Sequence, residues 1–297
     1  MDARPPATAG TLDPQLEAQR QALLDWFAGL EGCAVAFSGG VDSAVVAQAA
    51  HAALGSRAIA ITGVSASLAS GELEAAAALA RQIGIDHRIV DTREFADPRY
   101  LRNAPDRCYH CKTELYSLLT QWAPAHGYPV LLNGANCDDL GDYRPGLEAA
   151  REQGIRSPLV ECGLHKAEVR RLAQAWGLPV WDKPASPCLS SRVAYGEEVT
   201  VERLTMIDRA EAFLRQLGFR VVRVRYHKGD VARIEVPVEE IARLCTPPLR
   251  DQLTTCLIGL GFKFVTLDLA GFRSGSLNSL VQLESATGVR TGPGSRS

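Results

Sequence analysis

The sequence contains no long apolar run and no excess of charge of either sign, and each absence excludes a class of protein. No uninterrupted apolar stretch approaches the roughly 18 residues that a membrane-spanning helix needs. The 32 Lys and Arg residues nearly balance the 34 Asp and Glu residues, so the formal net charge is −2. Such a chain has no overall attraction for nucleic acid or for an anionic membrane. We therefore expect no nucleic-acid partner and no membrane association, and any phosphate must bind at a local site.

The first residues also lack the basic segment followed by an apolar segment that marks a secretory signal peptide. We accordingly expect a cytoplasmic protein, in which the reducing environment keeps thiols free. The eight cysteines are then not expected to form a disulfide framework. Some of them become candidates for chemistry or for metal binding.

The chain up to about residue 185 alternates segments typical of strands with segments of helical periodicity. The segments CAVAF, RAIAITGV, HRIVDT and PVLLNGA predict strands, whereas VDSAVVAQAAHAAL, SGELEAAAALARQIG and a segment from about Lys112 predict helices. Strands that are apolar on both faces and separated by helices are typical of a parallel sheet covered on both sides. We predict an α/β domain with a doubly wound parallel sheet over residues 15–185.

A segment rich in Pro, Ser and Gly, WDKPASPCLSSRVAYGEE, marks a change of pattern. Beyond it, FRVVRVRYH and VARIEVP alternate with period two and are flanked by helical segments. This pattern predicts a second, smaller α+β domain with an antiparallel sheet over residues 186–275, which we expect to bind substrate or to support oligomerisation. Residues 276–297 are poor in apolar side chains and are expected to be disordered.

The hexapeptide SGGVDS, from Ser38 to Ser43, joins the first predicted strand to a helix. Gly39 and Gly40 permit close approach of a ligand to the backbone, and the free N–H groups of a helix N-terminus attract anions. The two serine hydroxyls add donors, while the lysine of a Walker loop is absent. Asp42 either organises the loop or its Mg²⁺, or simply favours the helix N-terminus as a first-turn carboxylate. We predict a phosphate-binding loop that is not a Walker loop.

Cys108 and Cys111 have the C-x-x-C spacing, which fits structural zinc, redox chemistry, an iron–sulfur cluster or two incidental thiols. Zinc needs four ligands, and no second C-x-x-C and no H-x-x-x-H follows. Cys188 lies in the segment KPASPCLSSR between Lys183 and Arg192, two cations that would favour its thiolate. It is a candidate nucleophile or ligand, with an incidental loop cysteine as the alternative.

The spacing of Cys137 and Cys162 assigns neither of them a role, although both could reach the site. Cys33, Cys245 and Cys256 lie in apolar runs. We expect these three in the core, where cysteine behaves as a small apolar residue.

SGGVDS resembles the PP-loop of ATP pyrophosphatases, which cleave ATP between its α- and β-phosphates. Combined with RCYHCK, GANCDDLGDYRPG, KPASPCLSSR and VRVRYHKGDVARIEV, the sequence from about residue 20 to 270 resembles the LarE family. These sulfurtransferases build the nickel-pincer cofactor of lactate racemase. The combination of motifs is far more specific than any one of them.

The resemblance implies ATP and Mg²⁺ as cofactors and a small nucleotide-like dicarboxylate, pyridinium-3,5-biscarboxylic acid mononucleotide, as substrate. Each carboxylate would be adenylylated and then converted to a thiocarboxylate. The sulfur-bearing cysteine of the family maps to Cys188. Members that also carry the C-x-x-C hold a [4Fe-4S] cluster on three cysteines, here Cys108, Cys111 and Cys188, whereas others sacrifice the sulfur of the single cysteine. The resemblance also implies a sulfide donor and a homo-oligomer.

The phosphate of such a substrate needs local cations. Arg223 and Arg225 lie two apart on a predicted strand, hence on one face and roughly 7 Å apart, which suits one phosphate. Glu235, on the next strand, would orient an arginine or help to bind metal; an exposed charged sheet face is the alternative. Asp139, in the acid-rich segment after the fourth predicted strand, would hold Mg²⁺ or another divalent ion, although such segments also occur as solvated turns.

Two other PP-loop classes are alternatives. Enzymes that thiolate tRNA also use cysteine triads with clusters, but this sequence shows no Lys/Arg-rich stripe for RNA. Amide-forming ligases need an ammonia source and have no use for a C-x-x-C together with Cys188.

Overall fold

A computed structural model describes residues 13–141 and 144–273 of the chain. The described residues divide into two compact units. The first unit contains the residues up to Asp97 and Asp106–Pro187, and the second contains Pro98–Pro105 and the residues from Cys188 onward. The predicted disordered tail, residues 276–297, lies outside the described residues.

Strands and helices alternate through the first unit, and a smaller set of both follows in the second. In chain order they are α1 (Pro14–Ala28), β1 (Cys33–Ala36), α2 (Val41–Leu54), β2 (Ala58–Val64), α3 (Glu72–Ile83), β3 (Asp86–Asp91), α4 (Pro98–Leu101), α5 (Arg107–Trp122), β4 (Val130–Leu132), α6 (Pro145–Glu152), α7 (Pro158–Glu161), α8 (Lys166–Ala175), α9 (Val201–Gln216), β5 (Arg223–His227), β6 (Val231–Glu235), α10 (Ile241–Cys245), α11 (Leu249–Gly259) and β7 (Phe264–Leu267). In the part of the chain that the structure describes, we find no helix with the length and apolar character needed to cross a membrane.

The sheet of the first unit has the strand order β3-β2-β1-β4, and all of its pairings are parallel. This arrangement confirms the predicted parallel sheet. The chain runs from β1 to β2 and β3 on one side and later adds β4 on the other side of β1. The carboxyl ends of β1 and β4 therefore flank a topological switch point, which is where open α/β sheets bind their ligands.

Helices cover both faces of this sheet, so the doubly wound prediction is also confirmed. On one face, α2 packs with α1 and α8; on the other, α5 and α6 pack against the sheet. The small side chains of α2 are buried around almost its whole circumference. A helix that is apolar on all sides is stable only in the interior. The N-terminus of α2 is thereby fixed at the carboxyl edge of the sheet.

Helix α5 begins earlier than predicted, at Arg107 rather than near Lys112. The residues of its first turn include Cys, Tyr and His, whose helix propensities are modest, so the sequence signal is weak. Packing of Tyr116 and Leu119 into the core stabilises the helix as a whole. The C-x-x-C pair consequently lies inside the helix and not before it.

The second unit contains a three-stranded sheet of order β5-β6-β7. The β5–β6 pairing is antiparallel, as predicted, but β7 is parallel to β6, so the prediction of a purely antiparallel sheet was wrong. The reason is that α10 and α11 carry the chain back across the sheet before β7, which is the connection that a parallel pair requires.

A short excursion of the chain, Pro98–Pro105, belongs to the second unit although it precedes α5. Asn103 is fully buried there and donates to the carbonyls of Val193 (3.2 Å) and Ala194 (2.8 Å). The hydroxyl of Tyr100 lies 2.6 Å from that of Ser190. These buried hydrogen bonds link α4 to the segment that follows Cys188.

Candidate functional site

The loop between β1 and α2 gathers hydroxyl and amide groups at the N-terminus of α2. Gly39 has a φ of +68°, and a Cβ atom on it would lie 3.0 Å from Cβ of Ala76, so glycine is required there. The Ser43 hydroxyl donates to the Gly40 carbonyl (3.1 Å), accepts from the Ser38 N–H (3.3 Å) and lies 3.2 Å from the Ser38 hydroxyl. Together with the positive end of the helix dipole, these donors suit an anion.

The loop after β4 approaches the same helix end. A Cβ atom on Gly134 would lie only 2.7 Å from the backbone nitrogen of Ser43, so a side chain here would separate the two loops. The Asn133 side chain fixes the turn, because its Oδ1 accepts from the Ala135 N–H (3.0 Å) and from the Ser157 hydroxyl (2.8 Å). The loops that follow β1 and β4 thus meet at the switch point of the sheet.

Asp42, in the first turn of α2, is held by two groups from distant parts of the chain. Its Oδ2 accepts from the ammonium of Lys166, which begins α8, and its Oδ1 accepts from Asn136 Nδ2 at 3.2 Å. Sequence reasoning missed both partners, since 124 positions separate Asp42 from Lys166. In the sequence, these two partners are marked only as an asparagine shortly after the end of a strand and a lysine at the start of a helix.

The start of α8 is anchored by Asp138. The Asp138 carboxylate accepts from His165 Nδ1 at 2.6 Å and from the Lys166 N–H at 2.9 Å. The hydrogen bond with His165 is the main reason that the pKa of Asp138 lies below its usual value, and the same bond raises the pKa of His165. The backbone of Lys166 is therefore fixed, while its side chain extends toward the loop after β1.

Asp139, the predicted ligand of a divalent ion, already has partners in this structure. Its Oδ1 lies 2.6 Å from Nη1 of Arg144, and its Oδ2 accepts from the Asn136 N–H at 3.1 Å. Among the residues that the structure describes, no three His, Cys, Asp or Glu side chains form a group that could hold a metal ion.

Cys108 and Cys111 lie on one face of the first turns of α5, because residues three apart on a helix are neighbours. Cys108 is exposed and Cys111 is half-buried, and neither forms a disulfide. The guanidinium of Arg107 lies 3.9 Å from the Cys108 sulfur. The pair therefore lies at the N-terminus of α5, with one guanidinium beside the first of its two sulfurs.

The segment 181–186 is tied to two helices of the first unit. Arg170 of α8 donates to the carbonyls of Trp181 (2.7 Å) and Lys183 (3.1 Å). Glu72, the first residue of α3, accepts from the Lys183 ammonium (2.7 Å) and from the Ser186 hydroxyl (3.3 Å). Since α3 also packs against the loop after β1, the segment that leads to Cys188 is attached beside that loop.

Cys188 is half-buried and is the residue with which the chain enters the second unit. Its carbonyl accepts from Arg192 Nη1 at 2.9 Å, and Arg192 is itself fully buried and paired with Glu211 at 3.0 Å. Lys183 is likewise paired with Glu72. The two cations predicted to favour the Cys188 thiolate are therefore each bound to a carboxylate, and Arg192 contacts the backbone of the cysteine.

Arg223 and Arg225 are 7% and 6% exposed, so they do not form an exposed charged face. Arg225 is fixed by Glu235, with Nη2 and Nε at 2.8 and 3.1 Å from Oε2. Glu235 is fully buried and also pairs with Arg233 at 3.2 Å, so its contacts orient arginines. Burial, followed by repulsion from Arg192, lowers the pKa of Arg223 to about 10. The second unit thus contains three buried arginines, Arg192, Arg223 and Arg225, together with two buried glutamates, Glu211 and Glu235, so one positive charge is in excess.

The other cysteines have different environments from one another. Cys33 is buried, which raises the pKa of its thiol to about 12, and burial also raises the pKa values of Cys137 and Cys162. The expectation that Cys245 and Cys256 lie in the core was wrong, since the first is exposed and the second half-buried. Each lies beside the buried stripe of its helix and not on it.

Comparisons with known proteins agree with the loop geometry. A family model described as asparagine synthase matches residues 30–142, which extend from before β1 to the loop after β4. An uncharacterized protein from Synechocystis sp. is 49% identical over 266 residues, which is 90% of this chain and 99% of that protein.

Several relatives have names that state an activity. The pyridinium-3,5-bisthiocarboxylic acid mononucleotide synthase of Lactiplantibacillus plantarum is 40% identical over 260 residues, 87% of this chain and 93% of that protein. The tRNA-specific 2-thiouridylase MnmA of Rickettsia rickettsii is 29% identical over 190 residues, 51% of this chain and 52% of that protein. The similarity to the synthase covers most of the length of both chains, whereas the similarity to the thiouridylase covers about half of each.

Proposed function

Because this chain belongs to the LarE family of PP-loop enzymes, we propose that it is an ATP-dependent sulfurtransferase. Its substrate would be pyridinium-3,5-biscarboxylic acid mononucleotide, and its product the bisthiocarboxylic acid named in the synthase of L. plantarum. That product serves nickel-pincer cofactor biosynthesis. The observation that carries the proposal is the anion cradle of Ser38 and Ser43 at the switch point, within a chain that matches the synthase over almost its whole length.

The first step would be adenylylation. A carboxylate is a poor acyl electrophile because its leaving group would be oxide. When a carboxylate oxygen attacks the α-phosphorus of ATP, the bond to the bridging oxygen of the β-phosphate breaks and pyrophosphate leaves. The donors at the N-terminus of α2 would bind that pyrophosphate. Mg²⁺ bound to ATP would neutralise part of the negative charge of the phosphates and of the nearby Asp42 carboxylate.

The second step would transfer sulfur to the acyl adenylate and expel AMP. A [4Fe-4S] cluster would be held by Cys108, Cys111 and Cys188. When bound, this cluster would supply the sulfide for the transfer. In the described residues these three side chains do not already form a metal-binding group. What supports the proposal is that the first two thiols share one helix face, and that none of the three cysteines forms a disulfide or is fully buried. Cys188 also follows the anchored Ser186 by two residues, a span of at most about 7 Å. A donor of replacement sulfide would then be required.

The alternative sulfur source is Cys188 itself. Its thiolate would attack the activated carbonyl, and cleavage of the Cβ–S bond with loss of the α-proton would leave dehydroalanine in the chain. The half-exposed position of Cys188 is compatible with this route as well.

The arginine group of the second unit would bind the phosphate of the substrate. Arg225 is already oriented by Glu235, so little conformational entropy would be lost when it binds an anion. The low pKa of Arg223 reflects burial and neighbouring cations, and an anion would relieve that repulsion. We further propose that the protein is a homo-oligomer, which light scattering of the eluted peak in size-exclusion chromatography would test.

Anaerobic purification with iron and sulfide analysis distinguishes the two sulfur routes. We expect about four irons per chain in the wild type and a large loss in Cys108→Ala. Cys245→Ala is the matched control, because Cys245 is also exposed but lies on α10. Negligible iron in the anaerobic wild type would exclude the cluster and favour the sacrificial route.

The overall reaction is tested by incubating the protein with ATP, Mg²⁺, sulfide and the dicarboxylate. We expect release of pyrophosphate and AMP and a mass increase of 16 Da for each carboxylate converted, since sulfur (about 32 Da) replaces oxygen (about 16 Da). Pyrophosphate release that depends on ammonia instead would indicate an amide-forming ligase.

A further inference from the structure

The described part of the chain ends in a short segment that runs along the sheet of the second unit. After β7, residues 268–272, which we call the strap, lie beside the end of β6. The Asp268 N–H donates to the Ile234 carbonyl (2.9 Å), and the Phe272 N–H donates to the Val236 carbonyl (2.8 Å). The strap is therefore fixed at both of its ends against the last residues of β6 and the residue that follows them.

Phe272 lies against one of the arginines that would bind the phosphate of the substrate. The guanidinium carbon of Arg223 is over the Phe272 ring, 5.3 Å from the ring centroid. Nη1 of Arg223 donates to the Val222 carbonyl at 2.8 Å. A guanidinium that stacks with its face on an aromatic ring keeps its N–H donors at the edge of its plane. The contact with the ring is thus compatible with hydrogen bonds from Arg223 to a phosphate.

The other end of the strap is connected to Arg225 through side chains. Asp268 is paired with Arg233, and Nη1 of Arg233 lies 3.2 Å from one carboxylate oxygen of Glu235. The other oxygen of Glu235 lies 2.8 Å from Nη2 of Arg225. The two ends of the strap therefore reach both proposed phosphate ligands, the second one through two intervening side chains.

The charge of Arg223 explains what an aromatic ring contributes at this position. Burial, followed by repulsion from Arg192, lowers the pKa of Arg223 to about 10, so the surroundings disfavour its cation while no anion is bound. The face of an aromatic ring carries partial negative charge and attracts a cation, more strongly where water is excluded. The Phe272 ring therefore stabilises the charged form of Arg223 and restricts its rotation, without using any of its N–H donors.

We propose that Phe272 positions Arg223 for the phosphate monoester of the substrate, and that the strap forms one wall of this phosphate site. This inference rests on the proposed function and adds to it a positioning residue, which contacts an arginine and not the reacting atoms. A cation that is already held in place loses little conformational entropy when it binds its anion. The strap thus prepares the arginine pair for binding.

Calorimetric titration of pyridinium-3,5-biscarboxylic acid mononucleotide into the whole protein, without ATP, tests the proposal. The same compound without its phosphate is the second ligand. Phe272→Leu keeps an apolar side chain but removes the ring, and we expect it to weaken binding of the mononucleotide by about threefold to tenfold. Phe272→Tyr keeps the ring and should bind the mononucleotide within about twofold of the wild type. Neither variant should change the affinity for the compound that lacks the phosphate.

A double-mutant cycle separates the positioning of Arg223 from a general effect on the second unit. In an Arg223→Met background the ring has no guanidinium to hold, so adding Phe272→Leu should weaken binding of the mononucleotide by less than about twofold. Phe264→Ala is the matched control, because Phe264 belongs to the same unit but is 63% exposed, and we expect it to bind like the wild type.

Three results would overturn the role of Phe272 while leaving the proposed function intact. They are an undiminished affinity of Phe272→Leu for the mononucleotide, equal losses for the two ligands, and equal losses from Phe272→Leu in the wild-type and Arg223→Met backgrounds. If the wild type bound neither ligand, the proposed function itself would fail, and this inference with it.

Discussion

Gly39 shows how the absence of one methyl group lets the loop after β1 form. Its φ of +68° is unfavourable for any residue with a Cβ, and the space where that atom would lie is bordered by Ala76 at 3.0 Å. The loop can neither widen nor rotate freely, since α2 is packed in the core and α3 lies against it. The conformation of the predicted phosphate-binding loop and its packing against α3 are therefore coupled at this residue.

Gly39→Ala is expected to lower the free energy of unfolding by about 1–2 kcal/mol for the backbone conformation, with a further loss from the contact with Ala76. Urea denaturation followed by circular dichroism measures the change. Gly29→Ala is the control, because Gly29 has a φ of −84° and open space around it. A loss equal to that of the control would contradict the argument.

His165 and His87 are expected to titrate on opposite sides of the ordinary histidine pKa of about 6.5. The hydrogen bond with Asp138 raises the pKa of His165, whereas burial lowers the pKa of His87. NMR titration of the imidazole protons measures both, and Asp138→Asn should return only His165 toward its ordinary value. Titration of His165 at or below that of His87 would count against the Asp138 contact in solution.

The contact between His165 and Asp138 also determines how the stability of the protein should change with pH. Because the pKa of His165 is raised, its contribution to the free energy of unfolding is present below the ordinary histidine pKa. That contribution is lost as pH rises through the raised pKa. The lowered pKa of Asp138 means that its contribution is present above the ordinary aspartate value and is lost as pH falls through the lowered one. The start of α8 is therefore best anchored between those two limits.

At the scale of elements, the segment 181–186 is positioned by helices and has no regular structure of its own. Its anchors come from α3 and α8. These helices also contact the loop after β1 through Ala76 and the first turn of α2 through Lys166. The sequence identified this segment as a loop from its Pro and Ser content, but the loop signal contains no information about its anchors. The course of the chain before Cys188 therefore depends on contacts with Glu72 and Arg170.

Glu72→Gln should loosen this segment. The ion pair with Lys183 is partly exposed, and such pairs contribute up to about 1 kcal/mol, which corresponds to an increase in local opening of up to about fivefold. Hydrogen–deuterium exchange of peptides covering residues 181–188 measures this. Glu74→Gln serves as the control, since Glu74 is exposed in the first turn of the same helix. Unchanged exchange in Glu72→Gln would show that Arg170 alone anchors the segment.

At the scale of the whole molecule, charge is the property that separates the proposed function from tRNA thiolation. The net charge is −2, and the most concentrated group of arginines in the described second unit is buried and paired with Glu211 and Glu235. Long polyanions are bound by exposed cations that release counterions. A buried group of this kind suits a single phosphate.

We therefore expect filter binding with bulk tRNA to detect only weak association, in the range of about 10⁻⁴ M or weaker at physiological salt. The reason is the absence of a net positive charge that would attract RNA over a distance. Poly-glutamate at equal charge is the control for non-specific binding to the filter. Tight binding that weakens steeply with salt would support the thiolation of tRNA and contradict the proposal.

The sequence by itself determined the features that arise from short-range patterns. Apolar periodicity gave the four parallel strands and their helices, period-two alternation gave the β5–β6 pair, and the glycines of SGGVDS gave the turn into α2. Each of these follows from backbone conformation and burial over a few neighbouring residues. The combination of motifs is likewise sufficient, without any geometry, to identify the family.

Only the tertiary structure decided which side chains meet. Lys166 contacts Asp42 across 124 positions, Glu235 orients Arg225 inside the second unit, and Asn103 joins a segment that begins 90 residues later. These contacts depend on strand order and on the direction in which each side chain leaves the backbone. Neither quantity is encoded in local periodicity, so the partners of the phosphate loop became visible only once the sheet had placed the ends of β1 and β4 side by side.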